Sequence, residues 1–150
     1  MRTMIITALA SGALIAALVA QGSEKKISMK DVPAAVQQAI KEQSKGATLR
    51  GVAKEVEHGK TRYEAELKVN GHSKDVTFDA QGQVVSVEEE TPIADIPSAA
   101  REAIQKAAGG GKVLVVETVT EGGKTFYEAQ VRNGIKKSEV KVDASGQPVK

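Results

Sequence analysis

The sequence predicts an α+β protein of two tandem αββββ units, each a helix packed on a four-stranded antiparallel sheet. Three observations predict it. The first is a duplication: Gly59-Lys60-Thr61-Arg62-Tyr63-Glu64-Ala65 returns 64 residues later as Gly123-Lys124-Thr125-Phe126-Tyr127-Glu128-Ala129. Asp31-Val32-Pro33 likewise returns as Asp95-Ile96-Pro97, and Asp79-Ala80-Gln81-Gly82 as Asp143-Ala144-Ser145-Gly146. Such a period fixes architecture before any local reading does. The second is one apolar stripe at helical spacing in each copy. The third is strict apolar–polar alternation in the stretches that follow it.

The chain opens with a leader. Arg2 precedes a nearly apolar run from Ile5 to Ala20, the layout of a secretory signal peptide. Cleavage after Ala20 or after Gly22 fits, and residues 1–22 are assigned to the signal. The other reading is an uncleaved anchor, since about 18 apolar residues can just cross a bilayer. No Cys follows, which excludes a lipid anchor there. Repeat one is read as residues 23–90 and repeat two as 91–150.

Each repeat starts with a helix. Val32, Val36, Ala39, Ile40 and Gln43 recur at helical spacing, as do Ile96, Ala100, Ala103, Ile104 and Ala107. Pro33 and Pro97 suit the first turn, and Asp31 and Asp95 suit the positive end of the helix dipole. Gly46 and Gly109-Gly110-Gly111 end the two helices.

Strands follow. Leu49–Glu57 and Val113–Thr120 come first, and their register is open: either Val52 and Val56 or Leu49 and Ala53 face inward. In the second strands, Tyr63, Ala65, Leu67 and Val69 alternate with Arg62, Glu64, Glu66 and Lys68. Their counterparts Tyr127, Ala129 and Val131 alternate with Phe126, Glu128, Gln130 and Arg132. This predicts sheets with one face on the helix and one in water. Asn70-Gly71 and Asn133-Gly134 mark hairpins. Third strands carry Val76 and Phe78, or Val140 and Val142. Asp79–Gly82 and Asp143–Gly146 make the next turns, and short fourth strands hold Val85 and Val87, or Val149. Glu88–Pro92 is read as a short semi-rigid linker.

Composition narrows function. There is no Cys, so no disulfide can stabilise the fold, and each repeat alone is marginal in size. The formal charge of +2 falls to +1 once Arg2 leaves. No basic block points to nucleic acid. The two histidines, His58 and His72, have no partners placed for nucleophilic catalysis or for a zinc site. No cofactor or metal is expected, and no enzyme activity. Glu64 and Glu66 read as cross-strand charge partners rather than a glycosidase pair.

Three motifs carry a resemblance: Val32–Ile40 (Val-Pro-x-Ala-Val-x-x-Ala-Ile), Gly59–Glu64 (Gly-Lys-x-x-Tyr-Glu) and Asp79–Val85 (Asp-Ala-x-Gly-x-Val-Val). They resemble PepSY-like domains, in particular the group related in fold to β-lactamase inhibitory protein. The resemblance implies an exported bacterial protein, periplasmic or secreted, in a superfamily linked to inhibition of peptidases or β-lactamases. The expectation is a protein-binding module with an extracytoplasmic hydrolase as its partner. The alternative is a structural or stress-related envelope protein without an enzyme target. The candidate contact residues are Arg62, Glu64, Glu66, Phe126, Glu128 and Arg132 on the polar sheet face. Phe126 stands out because it replaces Arg62 of the first repeat. It is either an exposed contact residue, or buried against the other repeat, or turned by a shifted register.

Overall fold

The computed structural model describes residues 24–57 and 59–149. The assigned signal segment, 1–22, lies outside the described residues. The two repeats do not form separate sheets, which corrects the expected fold class of two αββββ units. The molecule is mostly β: one antiparallel sheet of eight strands in sequence order, with two α-helices. The strands are β1 (Lys25–Lys26), β2 (Thr48–Glu57), β3 (Lys60–Val69), β4 (His72–Phe78), β5 (Val84–Glu90), β6 (Lys112–Glu121), β7 (Lys124–Asn133) and β8 (Lys136–Asp143). The helices are α1 (Ala34–Gln43) and α2 (Ser98–Ala108).

The seam between the repeats is the β5–β6 pair, from Ser86↔Glu121 to Glu90↔Glu117. Two separate sheets would leave both strands with a row of unpaired N–H and C=O groups. Joining them satisfies both rows. The Glu88–Glu90 run is therefore the end of β5 rather than a linker. The expected fourth strand of repeat two shrinks to a single bridge between Val142 and Pro148.

The repeat also reaches further back than its sequence shows. Lys25 and Lys26 pair with Lys54 and Ala53, as Glu89 and Glu90 pair with Thr118 and Glu117. The Ile27 N–H donates to the Val52 carbonyl at 2.9 Å, and Thr91 N–H donates to Val116 at the same distance. The short β1 thus takes the place in repeat one that β5 takes in repeat two.

The open register of the first strand is settled by a bulge. Leu49 lies opposite Leu67 and Val52 opposite Ala65, with an irregularity between Leu49 and Gly51. Repeat two has the same device between Val113 and Val115. One extra residue resets the alternation. Leu49 and Val52 can then face the same side although three positions separate them.

Each helix lies on the same face of the sheet. Val36 and Ile40 of α1 are fully buried against Val52, Tyr63, Ala65, Leu67, Val76 and Phe78. Ala100 and Ile104 of α2 are buried against Val116, Ala129 and Val142, with Tyr127 packed at the edge. Ala108, rather than Ala107, completes the second stripe. Burying one such Ile contributes about 1.5–3 kcal/mol. Pro33 and Pro97 occupy the N-cap positions, and no side chain caps either helix. Gln37 and Arg101 N–H groups donate to the two proline carbonyls at 2.9 and 3.0 Å.

The Asp-x-x-Gly turns lock the sheet to these helix starts. Asp79 Oδ1 accepts from Gln81 and Gln83 N–H, and Asp143 Oδ1 accepts from Ser145 and Gln147 N–H. Those bonds, with the Ser145 hydroxyl foremost, hold the Asp143 carboxyl below its usual range. Gly82 and Gly146 have φ of 81° and 80°, and a Cβ there would meet the Ala35 or Ala99 carbonyl oxygen at 2.7 or 2.6 Å. The hairpins differ. Asn70-Gly71 forms a turn with φ positive at both residues. In repeat two Asn133 ends β7 and the two-residue loop is Gly134-Ile135. The Asn133 side chain instead donates to the Ala108 carbonyl at 3.1 Å.

Candidate functional site

The helix-free face of the sheet gathers the candidate residues. Main-chain alternation sends Arg62, Glu64 and Glu66 of β3 and Phe126, Glu128 and Arg132 of β7 to this side. The sheet's continuity then does what sequence alternation alone cannot: it aligns both sets with strands β4, β5, β6 and β8. One row across the sheet runs Glu66, Asp75, Glu88, Val119, Phe126, each opposite the next. The neighbouring row runs Glu90, Glu117, Glu128, Lys141.

Like charges are thereby set directly opposite one another at Glu66/Asp75, Asp75/Glu88, Glu90/Glu117 and Glu117/Glu128. Such pairs weaken a sheet, so this face is not arranged for stability. Among the described residues, cations pair with this face at its margins. Lys26 lies 3.0 Å from Glu66, and Lys141 pairs with Glu128. Arg62 sits opposite Glu55, and the exposed Arg132 opposite Lys112 and Lys137.

The centre is therefore carboxylate-rich and half-buried. Burial first, and neighbouring carboxylates second, raise Glu64 to about 7. The same causes raise Glu88 to about 8, with Glu128 and Glu117 the main charged neighbours. Asp75, Glu117 and Glu139 are pushed up too, each chiefly by desolvation. Proton uptake is the molecule's answer to too many carboxylates sharing too little water. Of these residues the sequence offers only Glu64 as a contact; it assigns Glu88 to a linker and does not single out Asp75, Glu117 or Glu139. Their signal was the alternation of strands β4 to β8, but only register makes them neighbours.

Phe126 stands on this face, as alternation assigns, but it is 6% exposed and does not project. Val119, opposite it, is buried as well. The Lys141 ammonium lies 4.1 Å from the ring centre, a cation–π contact. Val119 and Phe126 stand where repeat one has Glu55 and Arg62, so the second repeat sets an apolar pair where the first sets residues of opposite charge across from each other.

At one end of the seam a shallow groove is lined by His72, Glu90, Thr91, Pro92, Ile93 and Val113 to Val116. His72 Nδ1 is 3.8 Å from Glu90 Oε1, and Glu90 Oε2 accepts from Ser73 N–H at 3.0 Å. Among the described residues no three His, Asp or Glu side chains converge in a geometry that would hold a metal ion. Nor does any described helix have the length and apolar character to cross a membrane.

The family model described as "Putative beta-lactamase-inhibitor-like, PepSY-like" matches the chain twice, over residues 19–85 and 61–149. Among curated proteins there is no match. The fold recurs in solved structures from Bacteroides. A DUF2874 family protein of Bacteroides uniformis is 25% identical, with a TM-score of 0.63 over 79% of this chain and 87% of that one. A BLIP-like protein of Bacteroides fragilis is 24% identical, with a TM-score of 0.58 over 79% and 84%. A "putative periplasmic" protein of Bacteroides eggerthii is 21% identical, with a TM-score of 0.66 over 79% and 86%.

Proposed function

This chain belongs to the β-lactamase-inhibitor-like, PepSY-like family, and from that premise we propose that it is an exported, non-enzymatic protein-binding module of the periplasm. The leader over residues 1–22 directs export, and repeats 23–90 and 91–150 together present one binding face. The observation that carries this reading is the helix-free face, where like-charged carboxylates oppose one another across adjacent strands. A fold tolerates that cost most readily where a partner supplies the missing cations. The partner is a protein bearing Lys and Arg on its contact surface. Glu64, Glu66 and Glu128 meet it with Asp75 and Glu88, Arg62 and Arg132 flank the contact, and buried Phe126 holds the Lys141 ammonium over its ring. The finer reading is inhibition of a periplasmic peptidase or β-lactamase by occlusion.

The test is a pull-down from periplasmic extract using the full chain as bait, followed by inhibition assays on whatever hydrolase is recovered. A 1:1 complex that weakens with added salt, and weakens further in Glu66→Lys, is expected. A salt-insensitive complex, or one unaffected by charge reversal on this face, would show that the partner binds elsewhere. Recovery of a partner without inhibition would retain the binding module and remove the inhibitor.

A further inference from the structure

The sheet ends on an open edge at β8. Val149 N–H donates to the Lys141 carbonyl, and Asp143 N–H donates to the Gln147 carbonyl. At Lys141 and Asp143 the main chain therefore points away from β7. Main-chain groups alternate in direction along a strand, and the β7–β8 register is unbroken from Asp143 to Lys136. Lys137 and Glu139 accordingly turn their N–H and C=O groups outward too. Among the described residues no strand lies beyond β8 to receive them. In the first half of the molecule the matching position, Asp75, is paired with Glu88 of β5.

An exposed edge bearing lysines is commonly a device against strand pairing. Here the charge pattern points the other way. Lys136-Lys137-Ser138-Glu139-Val140 is self-complementary about Ser138. If two copies meet antiparallel with Ser138 opposite Ser138, each Lys137 faces the other copy's Glu139. Both are outward-turned residues, so each such pair exchanges two main-chain hydrogen bonds. Both side chains lie on the carboxylate face, so two cross-strand ion pairs form together with the bonds. The Glu139 carboxyl is pushed up by burial and by Glu128, and a second cation beside it is what that site lacks.

The same register accounts for Ile135. It is fully exposed at the tip of the β7–β8 hairpin. In the paired arrangement it reaches the end of the second copy's open stretch, where Val149 already stands opposite Lys141. The axis runs perpendicular to the sheet, so the α2 helices of both copies stay on one face and the carboxylate faces join on the other.

We propose that the β8 edge is a docking site for a second copy of this chain, paired antiparallel about Ser138 through Lys137 and Glu139. The open stretch is about five residues, or roughly 17 Å of strand, so the dimer is weak and concentration-dependent.

Sedimentation equilibrium of the full chain over a range of concentrations tests this. Wild type is expected to form a dimer and nothing larger. Lys137→Glu and Glu139→Lys alone each set like charges opposite one another, and each is expected to weaken dimerisation about tenfold or more. The double variant Lys137→Glu/Glu139→Lys restores it. Mixing the two single variants gives a heterodimer, because their charges complement. Far-UV circular dichroism identifies any variant that has not folded, and the mixing result then decides on its own, since only folded chains can rescue one another. A monomer at every concentration, a dimer indifferent to these changes, or open-ended polymers would each overturn the proposal.

Discussion

At the residue scale, Phe126 and Gly82 show how position within the sheet decides a side chain's worth. Phe126 is nearly fully buried although no described helix covers its face; Val119 lies opposite it and the Lys141 ammonium sits over its ring. Phe126→Arg places a charge beside Lys141 and removes a packed ring. It is expected to lower stability by about 2–4 kcal/mol, read as a drop in urea midpoint. A midpoint within error of wild type would mean that the ring is free to leave. Gly82 has a sharper constraint. Its positive φ strains any L side chain, and a Cβ would meet the Ala35 carbonyl. Gly82→Ala is therefore expected to cost about 2 kcal/mol or more, whereas Gly71→Ala, open on all sides, costs only the ~1 kcal/mol of the left-handed backbone. Equal losses at the two sites would remove the steric argument.

At the scale of elements, β5 matters most because it belongs to both halves. It pairs with β4 through Val76↔Val87 and with β6 through Val87↔Thr120. Pro at Val87 removes a ladder donor in the middle of the sheet, at a cost of about 3 kcal/mol or more. We expect Val87→Pro to lower the melting of both halves together. Two separated transitions, one wild-type in midpoint, would show that the halves fold independently. This strand also marks where the sequence ceased to be legible. The helices could be read because a 3.6-residue period on Val36, Ile40, Ala100 and Ile104 is local. Tyr63 and Tyr127 could be placed because alternation is local as well. The β5–β6 seam is not local. Its paired residues, Ser86 with Glu121 and Glu89 with Thr118 among them, are polar apart from Val87 and Val119 and carry no periodic signature. An acidic run ending before Thr91-Pro92 looks like a linker until the edge it pairs with is known. The bulges at Arg50 and Leu114 are hidden for the same reason, since one inserted residue makes two contradictory alternations both half right.

At the scale of the whole molecule, the joined sheet collects carboxylates from both repeats, and this sets how stability varies with pH. Glu64 is crowded within repeat one, by Asp75 foremost, whereas the seam brings Glu117 and Glu128 of repeat two up to Glu88. Glu64 rises from 4.5 to about 7 and Glu88 from 4.5 to about 8 in the folded protein. Between pH 4.5 and 8 the folded state therefore binds protons that the unfolded chain has released. Stability falls as pH rises wherever the folded state holds more protons. The contribution is fully present below about 4.5 and is lost as pH passes through 7 and 8. Lys26 and Lys141 moderate it from the margins, and partial solvent exposure reduces it further, to on the order of 1–3 kcal/mol in total. The expected result is a higher melting temperature at pH 5.5 than at pH 8.5. Glu64→Gln/Glu88→Gln should flatten that slope and raise stability at pH 8.5, where wild type carries both charges. A wild-type melting temperature that climbs toward alkaline pH would mean that the carboxylates are paired with cations and not crowded together. The same crowding links folding to recognition. A cationic partner seated on this face would favour the ionised forms and release protons on binding, so its affinity should strengthen as pH rises from 6 to 8.5 while the free protein becomes less stable over the same range.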